Sequence, residues 1–206
     1  MDSSTDRRPT INITGERVML GPLRRDLTPL YERWINDLHT MRTYDMLRPL
    51  TTQQVEEWYE RESRSPETIR FTIYERATCT PIGKTALYDI NHHQQRATFS
   101  ILIGAENGRG KGYGTEATRL MLDYAFTILG VHNVFLEAVE FNMAGIRAYE
   151  KAGFTECGRR REAFLLLGRR WDKVFMDCLA TEFEGSVLAP QFAIESSPVN
   201  TPRRGE

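Results

Sequence analysis

Arg109-Gly110-Lys111-Gly112-Tyr113-Gly114 stands between an apolar run and a periodic one, and the nature of that junction constrains everything around it. Upstream, Ala97-Thr98-Phe99-Ser100-Ile101-Leu102-Ile103 is short, rich in β-branched residues and bounded by Gly104, the pattern of a buried strand. Downstream, Ala117, Leu120, Met121, Tyr124, Ala125 and Ile128 recur at three- and four-residue spacing, which collects them on one face of a helix. The glycines therefore fall at a helix N-terminus, where backbone N–H groups have no intrahelical acceptor and the positive end of the macrodipole points outward. Such a turn binds phosphate through its main chain, and glycine lets the ligand approach the bare backbone.

Spacing separates the known phosphate loops. A P-loop requires four residues between its first glycine and a Gly-Lys pair, then Ser or Thr. Here five residues separate Gly104 from Gly110, and Gly112 replaces the hydroxyl. A dinucleotide fingerprint requires G-x-G-x-x-G, whereas Gly110, Gly112 and Gly114 alternate strictly. Farther on, Val134-Phe135-Leu136-Glu137-Ala138-Val139-Glu140 reads as another strand. Asn142 then opens the helical run Ile146-Arg147-Ala148-Tyr149-Glu150-Lys151-Ala152, closed by Gly153-Phe154. Gly158-Arg159-Arg160-Arg161-Glu162-Ala163-Phe164 and Gly168-Arg169-Arg170-Trp171-Asp172 suit a final hairpin. Taken in order between Glu16 and Phe183, the Arg109-x-x-Gly112-x-Gly114 loop, the Asn142–Phe154 segment and this hairpin resemble the GCN5-related N-acetyltransferases (GNAT). The closest likeness is to the branch of ribosomal-protein-alanine and spermidine acetyltransferases.

That resemblance implies an α/β (α+β) fold, a mixed and mostly antiparallel central sheet flanked by helices. Two central strands would splay apart to admit the pantetheine arm of acetyl-coenzyme A (acetyl-CoA). It implies Ile101, Leu102 and Ile103 as the strand that pairs with the cofactor. Arg109, Gly110, Lys111, Gly112, Tyr113, Gly114 and Thr115 would surround the pyrophosphate. Asn142 is a further implied contact, and asparagine is also a preferred helix N-cap. Tyr149 takes the place of the proton donor to the departing thiolate. Many relatives carry a glutamate just after the alanine that begins the pairing strand, but here that residue is Thr98. The base is therefore sought at Glu137, with Glu140, Asp89 and a water path as alternatives. By the same resemblance the acceptor side draws on the first two helices and their connection, with Trp34, Tyr44, Asp45, Met46, Trp58 and Tyr59, and on Asp89.

Local signals order the rest of the chain. Val18-Met19-Leu20 predicts a first strand, and Asp26 predicts a cap for a helix carrying Leu27, Leu30, Tyr31 and Trp34. Thr51-x-x-Gln54 is a capping box ahead of Val55, Trp58 and Tyr59. Ile69, Phe71 and Ile73 alternate with polar residues, which predicts a half-buried strand. After the turn Thr78-Cys79-Thr80-Pro81, Ile82 to Ile90 and Ala97 to Ile103 form an antiparallel pair around a polar loop. One domain is expected over residues 15–183. Residues 1–14 and 184–206, richer in Ser, Thr, Pro and charge, are expected as tails.

Composition narrows the function classes. Hydrophobic residues make up 40% and charged residues 27%, yet no apolar run approaches the ~20 residues of a membrane span. The first residues lack an apolar signal segment, so a cytoplasmic protein with no membrane partner is expected. Cys79, Cys157 and Cys178 are too few and too scattered for a disulfide framework or a zinc site, and no metal is expected. A net charge of −1 argues against nucleic acid as a required partner. The activity implied is acetyl transfer from acetyl-CoA to a primary amine by direct attack. A polyamine or a protein N-terminal amine is the expected acceptor, with an antibiotic amine third, and a homodimer or larger homo-oligomer is the expected assembly. The alternative is a catalytically silent acyl-CoA-binding regulatory or structural relative, for which the departure at Thr98 is the support. Catalysis would have three demands. An amine with a pKa near 10.4 is neutral about once in a few thousand molecules at pH 7 and needs a base; the oxyanion needs a donor; the thiolate needs a proton.

Overall fold

In the computed structural model, which describes residues 8–44 and 47–192, the predicted order of elements holds, with two short additions. The chain runs β1 (Ile13–Thr14), β2 (Val18–Pro22), α1 (Thr28–Ile35), α2 (Leu38–Met41), α3 (Thr52–Glu62), β3 (Ile69–Glu75), β4 (Thr80–Asn91) and β5 (Arg96–Ile103). It continues through α4 (Tyr113–Asp123), β6 (Asn133–Val139), α5 (Met143–Ala152), β7 (Thr155–Leu166) and β8 (Arg169–Leu179). The Thr51 capping box forms in both directions: its hydroxyl accepts from the Gln54 N–H (3.3 Å), and Gln54 Oε1 accepts from the Thr51 N–H (3.0 Å). Asp26 does not cap α1. It pairs with Arg24 (2.7 Å) inside a single 3-10 turn, and α1 begins after it at Thr28 with Pro29 in its first turn. Proline suits that position because its missing N–H has no partner there anyway.

Among the described residues, the strands form one sheet in the order β1-β2-β3-β4-β5-β6-β8-β7. Every neighbouring pair is antiparallel except β5 and β6. That parallel pair holds for three positions, Arg96↔Asn133, Ala97↔Val134 and Thr98↔Phe135. Beyond them β5 stays with β4 as far as Ile103↔Gly83, while β6 follows β8 to Val139↔Lys173. The two central strands thus part, as the resemblance implied. Helices cover both faces. The main core unites the sheet with Ala117, Leu120, Met121 and Ile146 of α4 and α5, and a second cluster of Tyr31, Trp34, Ile35 and Val55 packs on Leu102 from the opposite side.

Double coverage corrects the expectation for β3. Thr72 and Tyr74 are buried along with Phe71 and Ile73, and the Thr72 hydroxyl meets the Tyr31 hydroxyl at 2.6 Å. Described residues on either side of 15–183 also join the packing. Ile13, two residues before residue 15, is buried and pairs with Leu20. Past residue 183, buried Asp123 accepts from the Ser186 hydroxyl (2.5 Å) and from the N–H groups of Val187 (2.7 Å) and Leu188 (3.0 Å), and Leu188 enters the main core. No described helix is long and apolar enough to cross a membrane.

Candidate active site

The glycine turn is held open by its neighbours. Gly112 is the N-cap of α4 at φ +79°, and Gly110 lies at φ +72°, both in the left-handed region that favours glycine. A Cβ on Gly112 would also press on the Arg17 guanidinium at 2.9 Å. Arg17 clasps the loop: Nη1 donates to the Lys111 carbonyl (3.0 Å), Nε to Glu116 (3.3 Å), and its backbone N–H to the other Glu116 oxygen (2.9 Å). Held so, the backbone N–H groups from Gly110 to Thr115 donate to no other described residue. Gly110, Gly112, Gly114 and Thr115 line a cleft of about 840 Å³.

Of the charged side chains of the loop, Arg109 lines the cleft and Lys111 does not. Arg109 donates to the Ile103 carbonyl (3.3 Å), to Asp37 (3.3 Å) and to the Thr40 hydroxyl (3.3 Å), tying the loop to α2. Burial opposes ionisation of Asp37, but the Thr40 amide and hydroxyl and Arg109 together hold its carboxyl below the usual range. Lys111 is exposed, and the Tyr113 hydroxyl donates to Glu75 (2.5 Å); neither residue lines the cleft. What this turn offers a ligand is main chain.

The gap between β5 and β6 supplies a second stretch of main chain. The Gly104 N–H donates to the Ile82 carbonyl (3.0 Å) on the β4 side. Strand alternation sends the Leu102 N–H the same way and leaves those of Ile101 and Ile103 facing the gap. The pairing edge is therefore Ile101 and Ile103, whereas Leu102 contributes a side chain buried against the α1–α3 helices. Asn142 lines the cleft and caps α5, its side chain accepting from the Gly145 N–H (3.1 Å). Tyr149, two turns on, stands edge-on to Phe99 (6.4 Å, 88°) and Phe154 (6.1 Å, 67°). Its hydroxyl has no hydrogen-bond partner among the described residues. Burial, with Tyr44 adding to it, pushes that hydroxyl up to about 12. Tyr149 is therefore protonated across the neutral range, the state a proton donor requires.

The opposite wall is built of side chains. Tyr44 and Trp58 line it, and Trp58 lies edge-on to Tyr31 (6.0 Å, 84°). Trp34 does not: it is 4% exposed, and its indole fills the space that a side chain at Gly104 would occupy. Asp89 sits exposed at φ +51° on the irregular end of β4, away from the cleft. Tyr59 packs under Arg25 (5.8 Å) outside it. Asp45 and Met46 lie outside the described residues. Glu137 reaches the cleft from β6 and pairs with Lys173 (3.4 Å), whereas Glu140 accepts from the Asp172 N–H (3.0 Å) and supports the ladder. Sequence reasoning passed over Lys84, Ser100, Glu62 and Arg70, which also line this wall. Arg70, Lys84 and Ser100 lie on strands and Glu62 ends α3, and nothing local marked which face of these elements would stay open.

The chain can now be set beside known proteins. The acetyltransferase (GNAT) domain family matches residues 17–155. Spermidine N(1)-acetyltransferase of Vibrio cholerae is 33% identical over 130 residues, which is 63% of this chain and 74% of that one. The enzyme of the same name from Escherichia coli K12 is 28% identical over 152 residues, 74% of this chain and 80% of the other. A crystal structure of spermidine N-acetyltransferase from Vibrio cholerae in complex with CoA and spermine superposes with a TM-score of 0.75 at 28% identity, covering 81% of this chain and 97% of that one. With the parted strands and the glycine turn already established, these similarities put the chain in the GNAT family, as an N-acetyltransferase of its spermidine and ribosomal-protein branch.

Proposed function

We propose that the protein moves the acetyl group of acetyl-CoA directly to a primary amine of a small molecule, across the gap between β5 and β6. One observation carries this reading: unpaired N–H groups at Ile101 and Ile103, unengaged amides at Gly110 to Thr115, and the Tyr149 hydroxyl share one cleft. The residues fit the cofactor. A pyrophosphate suits the α4 N-terminus, where the left-handed glycines leave the amides bare, and an amide-bearing arm suits the open β5 edge. Acetyl-CoA, when bound, supplies an acetyl thioester as the electrophile.

The chain's own groups do the rest. The amides of Ile101 and Ile103 are the donors nearest the gap for a developing oxyanion, and they are preorganised because β4 fixes their strand. Tyr149 hands its proton to the leaving sulfur. Glu137, on the splayed strand and open to solvent, takes the amine's proton directly or through water. The acceptor enters between α3 and the open strand ends, past Tyr44 and Trp58. Polyamines, on which the named relatives act, are the first class to try, and protein N-terminal amines the second. The same reading has the enzyme work in the cytoplasm as a homo-oligomer.

Purified protein should release free thiol from acetyl-CoA when offered a panel of polyamines, amino acids, amino sugars and short peptides. Tight acetyl-CoA binding with no turnover of any amine would favour a silent regulator instead. Failure to bind acetyl-CoA would end both readings.

A further inference from the structure

Charge on the acceptor wall is unbalanced. Among the described residues it carries Arg61, Arg70, Lys84 and Lys173 against Glu62 and Glu137. Glu62 gives one oxygen to Arg61 (3.1 Å) and the other to Arg70 (2.6 Å), while Glu137 faces Lys173. Lys84 is the surplus. Its Nζ lies 4.0 Å over the Trp58 ring and donates to no described residue. On β4 it stands directly opposite Leu102, and the next pair along the same face, Ala86 and Ser100, is uncharged. Lys84 therefore flanks the strand that receives the thioester, on the face from which the amine arrives. Among the described residues, a polycation brought there meets more positive than negative charge.

We propose that the acceptor is an amine bearing an anionic group, a carboxylate or a phosphate a few bonds from the nitrogen, and that Lys84 receives that group. This rests on the acetyl-transfer reading and, within it, puts an anionic amine ahead of the polyamines that the named relatives suggest. The energetics agree: burial, with Arg70 adding to it and Glu62 only partly offsetting it, pushes the Lys84 ammonium down to about 7, and a bound anion restores the charge that burial disfavours. The indole face of Trp58 stabilises the cation but offers its N–H donors no acceptor atom. A bare polyamine has nothing to satisfy them.

With acetyl-CoA saturating, the wild-type protein is offered matched pairs, β-alanine with β-alaninamide and phosphoethanolamine with ethanolamine, together with spermidine. The anionic member of at least one pair should show kcat/KM about 10-fold or more above its neutral partner and above spermidine; the two pairs tell carboxylate from phosphate. Lys84→Met should lower kcat/KM for that anionic amine about 10- to 100-fold more than for its partner, and Lys84→Arg should retain the preference. Acetyl-CoA affinity measured in parallel reports that each variant is folded. Preference for spermidine or the neutral members, no turnover of any anionic member, or an equal fall on both members in Lys84→Met overturns the proposal while acetyl-CoA binding stands. Loss of acetyl-CoA binding in the wild type overturns the acetyl-transfer reading, and this proposal with it.

Discussion

The two walls of the cleft are made of different material. On the cofactor side the surfaces are main chain: the amides at Gly110 to Thr115 and the open edge of β5 at Ile101 and Ile103. On the acceptor side they are side chains, with Trp58, Tyr44, Lys84 and the Glu62–Arg70 pair (2.6 Å) projecting from α3, β3, β4 and the end of α2. Main chain is the same in every protein, so a main-chain wall suits a ligand that stays the same and requires of the sequence little more than glycine. A side-chain wall is rewritten with each substitution and suits a ligand that differs from one relative to the next. Tyr149 stands at the seam, rooted in α5 yet close enough to Tyr44 to feel it.

Substitutions can break this contrast, the largest effect first. Trp34→Ala should lower unfolding free energy by about 3–5 kcal/mol, read by chemical denaturation, because Trp34 is core beneath Gly104 and no part of the wall. A rise in amine KM with stability unchanged would return Trp34 to the acceptor site. Tyr149→Phe should cut kcat about 100-fold while acetyl-CoA affinity stays within about 2-fold. In the wild type, the hydroxyl's raised pKa keeps the donor protonated, so its ionisation should add no falling limb to the kcat profile up to about pH 9.

Smaller effects test the cofactor wall. Gly112→Ala forces a side chain to φ +79° against Arg17, at about 1–2 kcal/mol of strain, and acetyl-CoA affinity measured by calorimetry should drop about 10-fold. Loss on the amine KM instead would show the walls to be less separate than drawn. Arg17→Ala should be mildest. This half-exposed clasp adds loop order, and its loss should weaken acetyl-CoA by about 2- to 5-fold.

Legibility followed the same division. The cofactor turn could be read because its parts are adjacent: glycines at alternate positions, an apolar strand before them, a periodic helix after. The cap at Asn142 and the closing Gly153, at φ +119°, were as plain. The reading failed where residue type was taken for location. Trp34 and Asp89 suit a cation site by chemistry, yet one lies in the core and the other on an irregular strand end. Arg109 and Lys111 look alike as phosphate ligands, yet Arg109 lines the cleft while bracing the loop, and Lys111 faces solvent outside it. Lys84 stood in a strand with period-two patterning, and its importance depends on Trp58, 26 residues earlier on a helix.

By itself the sequence determined the order of elements, the caps at Thr51 and Asn142 and the glycine turn, because each is set by residues a few positions apart. Tertiary structure decided three things. It chose where β5 and β6 part, since their pairing joins segments more than 30 residues distant and ends when β6 follows β8. It chose which face of β4 stays open, since both faces are covered elsewhere. It also left Lys84 without a hydrogen-bonded carboxylate among the described residues, because Glu62 is held by two arginines. Each of these is a competition among distant partners for the same atoms, and local propensity carries no term for that.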